Sequence, residues 1–293
     1  MAGTRSFPHG AALMALVLLL FLTGCAGENG EEAADNNPTA PPRYAVMTYN
    51  VLFDFPNPDY PPWSVRKEGV AENIMRHEPD LIGLQEPFLW QVQDILALTD
   101  GYRAIHDGLY TDAAILYKAD RFRIINFGSF WLSPTPGEPL STGFGNFFPR
   151  ICVWAVMYDL YSDTAFVFSV THFDNTSPFQ ETAAPLYVGY MDALGANLPV
   201  IAVGDYNSRP GSEAYGILTQ SLSDTFYMVE SYELIGNEQE MASWNPDDRI
   251  DHIFVGYGDF AVHRWLADLT TYGDPPQPPS DHWPVVAEIE ILK

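Results

Sequence analysis

Pro199-Val200-Ile201-Ala202-Val203-Gly204-Asp205-Tyr206-Asn207 is an apolar run that stops abruptly on polar residues. With no polar face between Val200 and Val203, such a segment must be covered on both sides and reads as a buried strand in a layered sheet. Asp205 and Asn207 beyond it have two readings. They form an Asx turn that merely ends the strand, or they stand at the sheet edge, where open α/β folds collect their ligand groups.

The pattern repeats outward from this stretch. Tyr44 to Tyr49 is a strand closed by Asn50, and Asp80 to Gln85 is a buried strand closed by Glu86 and Pro87. Val170-Thr171-His172-Phe173-Asp174-Asn175 ends another strand on an imidazole. Arg249-Ile250-Asp251-His252-Ile253-Phe254 sets a carboxylate in an apolar strand, which is costly without a partner. Ser280-Asp281-His282-Trp283-Pro284-Val285 then places an Asp-His pair before the last strand, Pro284 to Ile291. Each has an ordinary explanation taken alone: an asparagine suited to a turn, a surface glutamate, a satisfied histidine, a common loop dipeptide.

Between these motifs, Val65 to Arg76 reads as a helix with Val70 and Ile74 one turn apart, and a second helix lies near Ala183 to Leu194. Tyr102 to His172 is a series of strands. It includes Ala113 to Tyr117, a turn at Lys118-Ala119-Asp120, and Arg121 to Trp131. Ile250 to Val255 is a further strand. Two mixed sheets between helices fit this order better than a doubly wound parallel sheet. Ser133 to Pro149, rich in Gly, Pro and Phe, shows no period and reads either as a lid or as an ordered connector. Trp63, Trp131, Trp244 and Trp283 serve either as core or as stacking surfaces for a substrate.

The chain has 293 residues, 47% of them hydrophobic and 14% aromatic, the composition of a protein with a large core. Lys+Arg number 14 against 38 Asp+Glu, a net charge of −24, which opposes extended contact with nucleic acid. A metal or local basic patch can still offset that field at a site. Ala11 to Leu22 is apolar but too short to span a bilayer, which takes roughly 20 residues, and it reads as a secretory leader. Leu22-Thr23-Gly24-Cys25 resembles the lipobox of bacterial lipoproteins, implying a lipidated Cys25. Residues 1–24 are then a signal peptide and 25–42 an acidic tether, leaving a single domain over 43–293. The expected place is the bacterial cell envelope, on the periplasmic or extracellular face. A membrane contact through the lipid and a monomeric chain go with it. Cys152, in a strand-like run, is assigned no chemistry.

Taken together, the ordered set Asn50, Glu86, His172 to Asn175, Asp205 with Asn207, Asp251, and Asp281 with His282 resembles the endonuclease/exonuclease/phosphatase superfamily over Arg43 to Lys293. That family includes pancreatic-type DNase, abasic-site endonucleases, inositol-polyphosphate phosphatases and neutral sphingomyelinases. The resemblance implies an α/β four-layer sandwich of two packed mixed β-sheets flanked by helices, and Mg²⁺-dependent hydrolysis of P–O bonds, with Mn²⁺ as a substitute. It implies Glu86 as principal metal ligand, supported by Asn50 and Asp281. Asp205 and Asn207 orient the attacking water, His282 is held by Asp251 against the scissile phosphate, and His172 contacts a phosphate oxygen or the leaving group. Whether His282 or Asp205 is the base stays open. Arg150, Arg209 and Asn175 are candidates for phosphate contact. The substrate expected is a small or lipid-borne phosphate ester. An extracellular nuclease and a catalytically inactive binding lipoprotein are the competing readings.

Overall fold

The computed structural model describes residues 42–108 and 111–292. The leader, Cys25 and the tether through residue 41 lie outside these. Two mixed sheets stack face to face. The first contains β1 (Arg43–Asn50), β2 (Leu81–Gln85), β3 (Tyr102–His106), β4 (Ala113–Lys118), β10 (Glu233–Gly236), β12 (Asp259–Leu269) and β13 (Val285–Leu292), in the order β10-β12-β13-β1-β2-β4-β3. The second contains β5 (Phe122–Trp131), β6 (Ile151–Asp159), β7 (Thr164–His172), β8 (Val200–Asp205), β9 (Ser223–Asp224) and β11 (Asp251–Gly256), in the order β5-β6-β7-β8-β11-β9.

Strand alternation builds the layers. Along β1, Tyr44 and Val46 enter the core between the sheets, while Met47 and Tyr49 face the helices α1 (Trp63–His77) and α2 (Leu89–Leu98). Along β8, Ile201 and Val203 face the other sheet; Val200 and Ala202 pack on α3 (Phe179–Leu194) and α4 (Glu213–Leu218). The expected four-layer sandwich is thus the observed one. Gly83 sits where the sheets approach closely. A Cβ there would lie 2.2 Å from Val203 Cγ2 and 2.9 Å from Val170 Cγ2.

The expected strands recur with ends moved by a residue or so, and the middle of the chain is the expected run of hairpins β3–β4, β5–β6 and β6–β7. Helix α3 begins at Phe179, earlier than Ala183, and includes Pro185. Two long elements are additions. In β12 the register slips between Val262 and Arg264, so its alternation breaks and no period-2 signal spans it. In α2 the buried face includes Gln91, whose side chain accepts from Phe88 N at 3.0 Å and donates to Leu52 O at 2.9 Å. A polar residue in the buried stripe hides the helical period. A short helix, α5 (Glu238–Ser243), precedes β11.

Ser133 to Pro149 is an ordered connector. Its own side chains hold it, with Ser133 and Ser141 hydroxyls 2.6 Å apart and Asn146 Nδ2 donating to Phe148 O at 2.6 Å. Trp63 and Trp131 are core, whereas Trp244 and Trp283 are half-buried. Cys152 is buried, and burial pushes its thiol pKa well up. Among the described residues no helix is long and apolar enough to cross a membrane.

Candidate active site

Parity and register bring the polar residues to one edge. His172, Asp205 and Asp251 are cross-strand partners on the adjacent strands β7, β8 and β11, and each continues the row of side chains that faces the other sheet. Asn50 ends the corresponding row of β1 in the opposing sheet. It reaches across, donating from Nδ2 to Asp205 Oδ2 at 3.1 Å and to Glu86 Oε1 at 3.2 Å. Asp205 Oδ2 is the common point, also 3.6 Å from His172 Nε2 and 3.7 Å from His282 Nε2.

Each of these groups is fixed from behind. Glu86 sits just past β2 at φ 61°, a left-handed conformation uncommon for a non-glycine residue. Its amide donates to Asp112 O at 3.0 Å, and Phe53 N donates to its Oε2 at 3.2 Å. Arg66, buried in α1, donates to Val51 O, Leu52 O and Pro279 O, tying the loop after β1 to the segment that delivers Ser280 and His282. Ser280 Oγ donates to Asn50 O at 2.7 Å. Asn207 N donates to Asp205 Oδ1 at 2.9 Å with φ 47° at Asn207, so the Asx turn exists and the site is built on it.

Two imidazoles face the centre, each with its own carboxylate. His282 Nδ1 lies 2.8 Å from Asp251 Oδ2. Burial disfavours the charged ring, but Asp251 and Asp205 outweigh it and the His282 pKa ends well above its ordinary value. Burial, with Asp205 nearby, raises that of Asp251 despite His282. His172 Nδ1 lies 3.0 Å from Asp112 Oδ1. Here too burial opposes the cation, Asp112 overcomes it, and the ring's pKa is raised although Arg150 Nη1 stands 2.8 Å from Nδ1. The Asp112 carboxyl, raised by burial, is brought below its usual range by His172 and Arg150.

Of the expected contacts, Arg150 enters the site, paired with Asp112 at 3.4 Å and Asp174 at 3.6 Å. Arg209 is exposed and paired with Asp248 at 3.2 Å. Asn175 is exposed and accepts from Thr176 Oγ1. Asp281 is exposed beside His282, its Oδ1 3.3 Å from Ser280 Oγ. Asp112 and Arg66 escaped the sequence reading. Asp112 carried a signal all the same, being a carboxylate abutting the apolar run Ala113 to Tyr117 at its start.

The donor set suits a hard cation. Glu86 and Asp205 oxygens converge on Asn50, and ligand atoms of Asp205, Asp251 and His282 lie within 4.8 Å of one another. Asp251 Oδ1 is buried without a hydrogen-bond partner. The carboxylate oxygens of Glu86, Asp205 and Asp251 match the ligand preferences of Mg²⁺ or Mn²⁺.

A two-sheet sandwich with acids and histidines along one edge of its strands matches the arrangement of DNase I-like phosphoester hydrolases. The model of the Endonuclease/Exonuclease/phosphatase family matches residues 47–282, and the chain belongs to that family. Nocturnin from Xenopus laevis is 23% identical over 198 residues, covering 61% of this chain and 48% of that protein. The chain thus spans about half the length of that curated relative. Among solved structures, a mannosyl-6-phosphatase from Bacteroides thetaiotaomicron is 31% identical with a TM-score of 0.75, covering 84% of this chain and 99% of that one. An endonuclease/exonuclease/phosphatase family protein from the same organism is 30% identical with a TM-score of 0.76, covering 86% and 96%.

Proposed function

We propose that the protein is a metal-dependent phosphoester hydrolase that works outside the cytoplasm on a small or lipid-borne phosphate ester. The observation that carries this reading is the convergence of Asn50, His172 and His282 on Asp205 Oδ2, at 3.1, 3.6 and 3.7 Å. Hydrolysis at phosphorus requires that phosphate charge be neutralised, a water aligned and the departing oxygen protonated. Glu86 and Asp205, braced by the Asn50 amide, would hold a divalent cation, Mg²⁺ or Mn²⁺, which would supply Lewis-acid neutralisation of the phosphate.

The chain's own groups supply the rest. Asp205, fixed by Asn50 and by the Asn207 amide, orients the water. Asp251 holds His282 through Nδ1 and leaves Nε2 facing the reacting centre, the usual orienting arrangement for an acid–base histidine. His172, oriented by Asp112, donates to a phosphate oxygen, with Arg150 adding charge behind it. The net charge of −24 weighs against an extended duplex as substrate. The likeness to a mannosyl-6-phosphatase favours a phosphate ester over a nucleic acid strand. Leu22-Thr23-Gly24-Cys25 supports export and lipid anchoring at Cys25.

Removing metal with a chelator should abolish hydrolysis of bis-p-nitrophenyl phosphate, and added Mg²⁺ or Mn²⁺ should restore it. Activity indifferent to the chelator would remove the metal from the scheme.

A further inference from the structure

Beside the His282–Asp251 pair the edge of the sandwich opens into a cleft of about 320 Å³, lined among others by Trp244, Trp283, Asn245 and Asp248. That volume is at the small end of ligand pockets and suits one ring. The Trp244 ring is braced by Tyr232 at 5.2 Å and Trp265 at 6.0 Å, which fixes the plane it offers. Asn245 and Asp248 are exposed on the rim, linked by Asn245 Nδ2 donating to Asp248 Oδ2 at 2.9 Å.

The charges of the cleft are one-sided. Asp248, Asp251 and Asp281 all line it. The one arginine in the lining, Arg249, donates from both terminal nitrogens to Asp224 and from Nε to Pro246 O. His282 is turned to Asp251. A second phosphate entering here would meet Asp248, Asp251 and Asp281, with Arg209 at the rim already paired to Asp248 at 3.2 Å. A neutral ring rich in hydroxyls meets what it needs: electron-rich indole faces for its C–H side, and carboxylate and amide oxygens for its O–H donors.

We propose that this cleft is the subsite for the alcohol half of the substrate and that it selects an uncharged sugar ring, making the preferred substrate a sugar monophosphate. The inference rests on the phosphoester-hydrolase reading above and names its specificity. Binding energy gathered on the sugar is available to lower the barrier at the phosphate, so loss of a wall lowers kcat/KM for substrates that fill the cleft.

The test compares phosphate release by the full chain with Mg²⁺ from mannose 6-phosphate, methyl mannoside 6-phosphate, fructose 1,6-bisphosphate and ethyl phosphate. Ethyl phosphate has the same kind of primary-alcohol leaving group and no ring. The wild type should favour a mannose 6-phosphate ester over the bisphosphate at least tenfold. Trp244→Ala should lower kcat/KM for the sugar ester at least tenfold more than for ethyl phosphate, and Trp244→Phe should recover most of the difference. Asn245→Ala, on the exposed rim, should shift the ratio in the same direction and guards against a folding defect in Trp244→Ala. Turnover of the methyl mannoside identifies a glycan-terminal phosphate as source, turnover of the free sugar alone a soluble one, and either keeps the sugar cleft. Equal losses on sugar and ethyl esters, or a bisphosphate used as well as the monophosphate, would overturn the proposal while leaving the hydrolase standing. A wild type inert toward every ester would instead sink the hydrolase reading.

Discussion

Asp224→Asn removes one charge, nearly without changing shape, from the buried node that braces the strand bearing Asp251. Asp224 Oδ2 accepts from Arg249 Nη1 and Nη2 at 3.2 Å each and from the Tyr215 hydroxyl at 2.9 Å, and lies 3.2 Å from His252 Nδ1. The far side of the His252 ring lies 2.9 Å from Ser208 O, next to Asn207, so this node stands behind two of the proposed site residues. Burial raises the Asp224 carboxyl, yet His252 and Arg249 outweigh it and bring it from 3.8 to about 2. That difference corresponds to roughly 2 kcal/mol of stability. Because the folded value is the lower one, this contribution is complete well above pH 3.8, is about half gone by pH 3, and vanishes below about pH 2. The substitution does more than protonation would. It leaves the Arg249 guanidinium, 3% exposed, without its counter-charge, and a broken buried pair costs about 3–5 kcal/mol. Urea unfolding followed by tryptophan fluorescence at pH 7 should show that loss, and at pH 3 the gap to wild type should narrow by roughly 1 kcal/mol. A loss below about 1 kcal/mol at pH 7, or a gap that does not change with pH, would refute the reasoning.

Three further outcomes follow from the same geometry. His282→Ala should lower kcat on a phosphate ester by about 10²–10⁴-fold, and a loss under tenfold in steady-state assays would reassign the residue. Asp112→Asn should lower kcat by roughly 10–100-fold, since it frees the ring of His172 from the carboxylate that orients it; an unchanged rate would make Asp112 merely structural. Gly83→Ala forces a methyl against Val203 and Val170 between the sheets, and should cost about 1–3 kcal/mol in urea unfolding; a neutral result would mean the sheets can part there.

Much of this was legible because buried strands announce themselves by composition and their ends by polarity. The runs at Leu81 to Leu84 and Val200 to Val203 are apolar on both faces, since each is sandwiched between a helix layer and the opposite sheet. What could not be read is tertiary in origin. The bulge in β12 and the inward-facing Gln91 of α2 serve contacts made by distant residues, and neither leaves a local period. Trp244 and Trp283, open between core and stacking in the sequence, are half-buried against the core and line the cleft.

Asp112 shows why strand direction matters more than strand order in finding such a site. Looking beyond the carboxyl ends of apolar runs finds Asn50, Glu86, His172 and Asp205, because β1, β2, β7 and β8 run in parallel pairs and finish on one edge. An antiparallel neighbour begins on that edge instead. Thus β4 starts opposite the end of β2, with Gln85 beside Ala113, and Asp112 lies just before it. Asp251 opens β11 opposite Asp205 by the same rule, and His282 precedes β13, which runs antiparallel to β1. Arg150, immediately before β6, faces His172 near the end of β7. Polar residues at the starts of apolar runs are therefore as informative as those at the ends once a mixed sheet is expected. A search restricted to one end recovers only the half of such a site that its parallel strands carry.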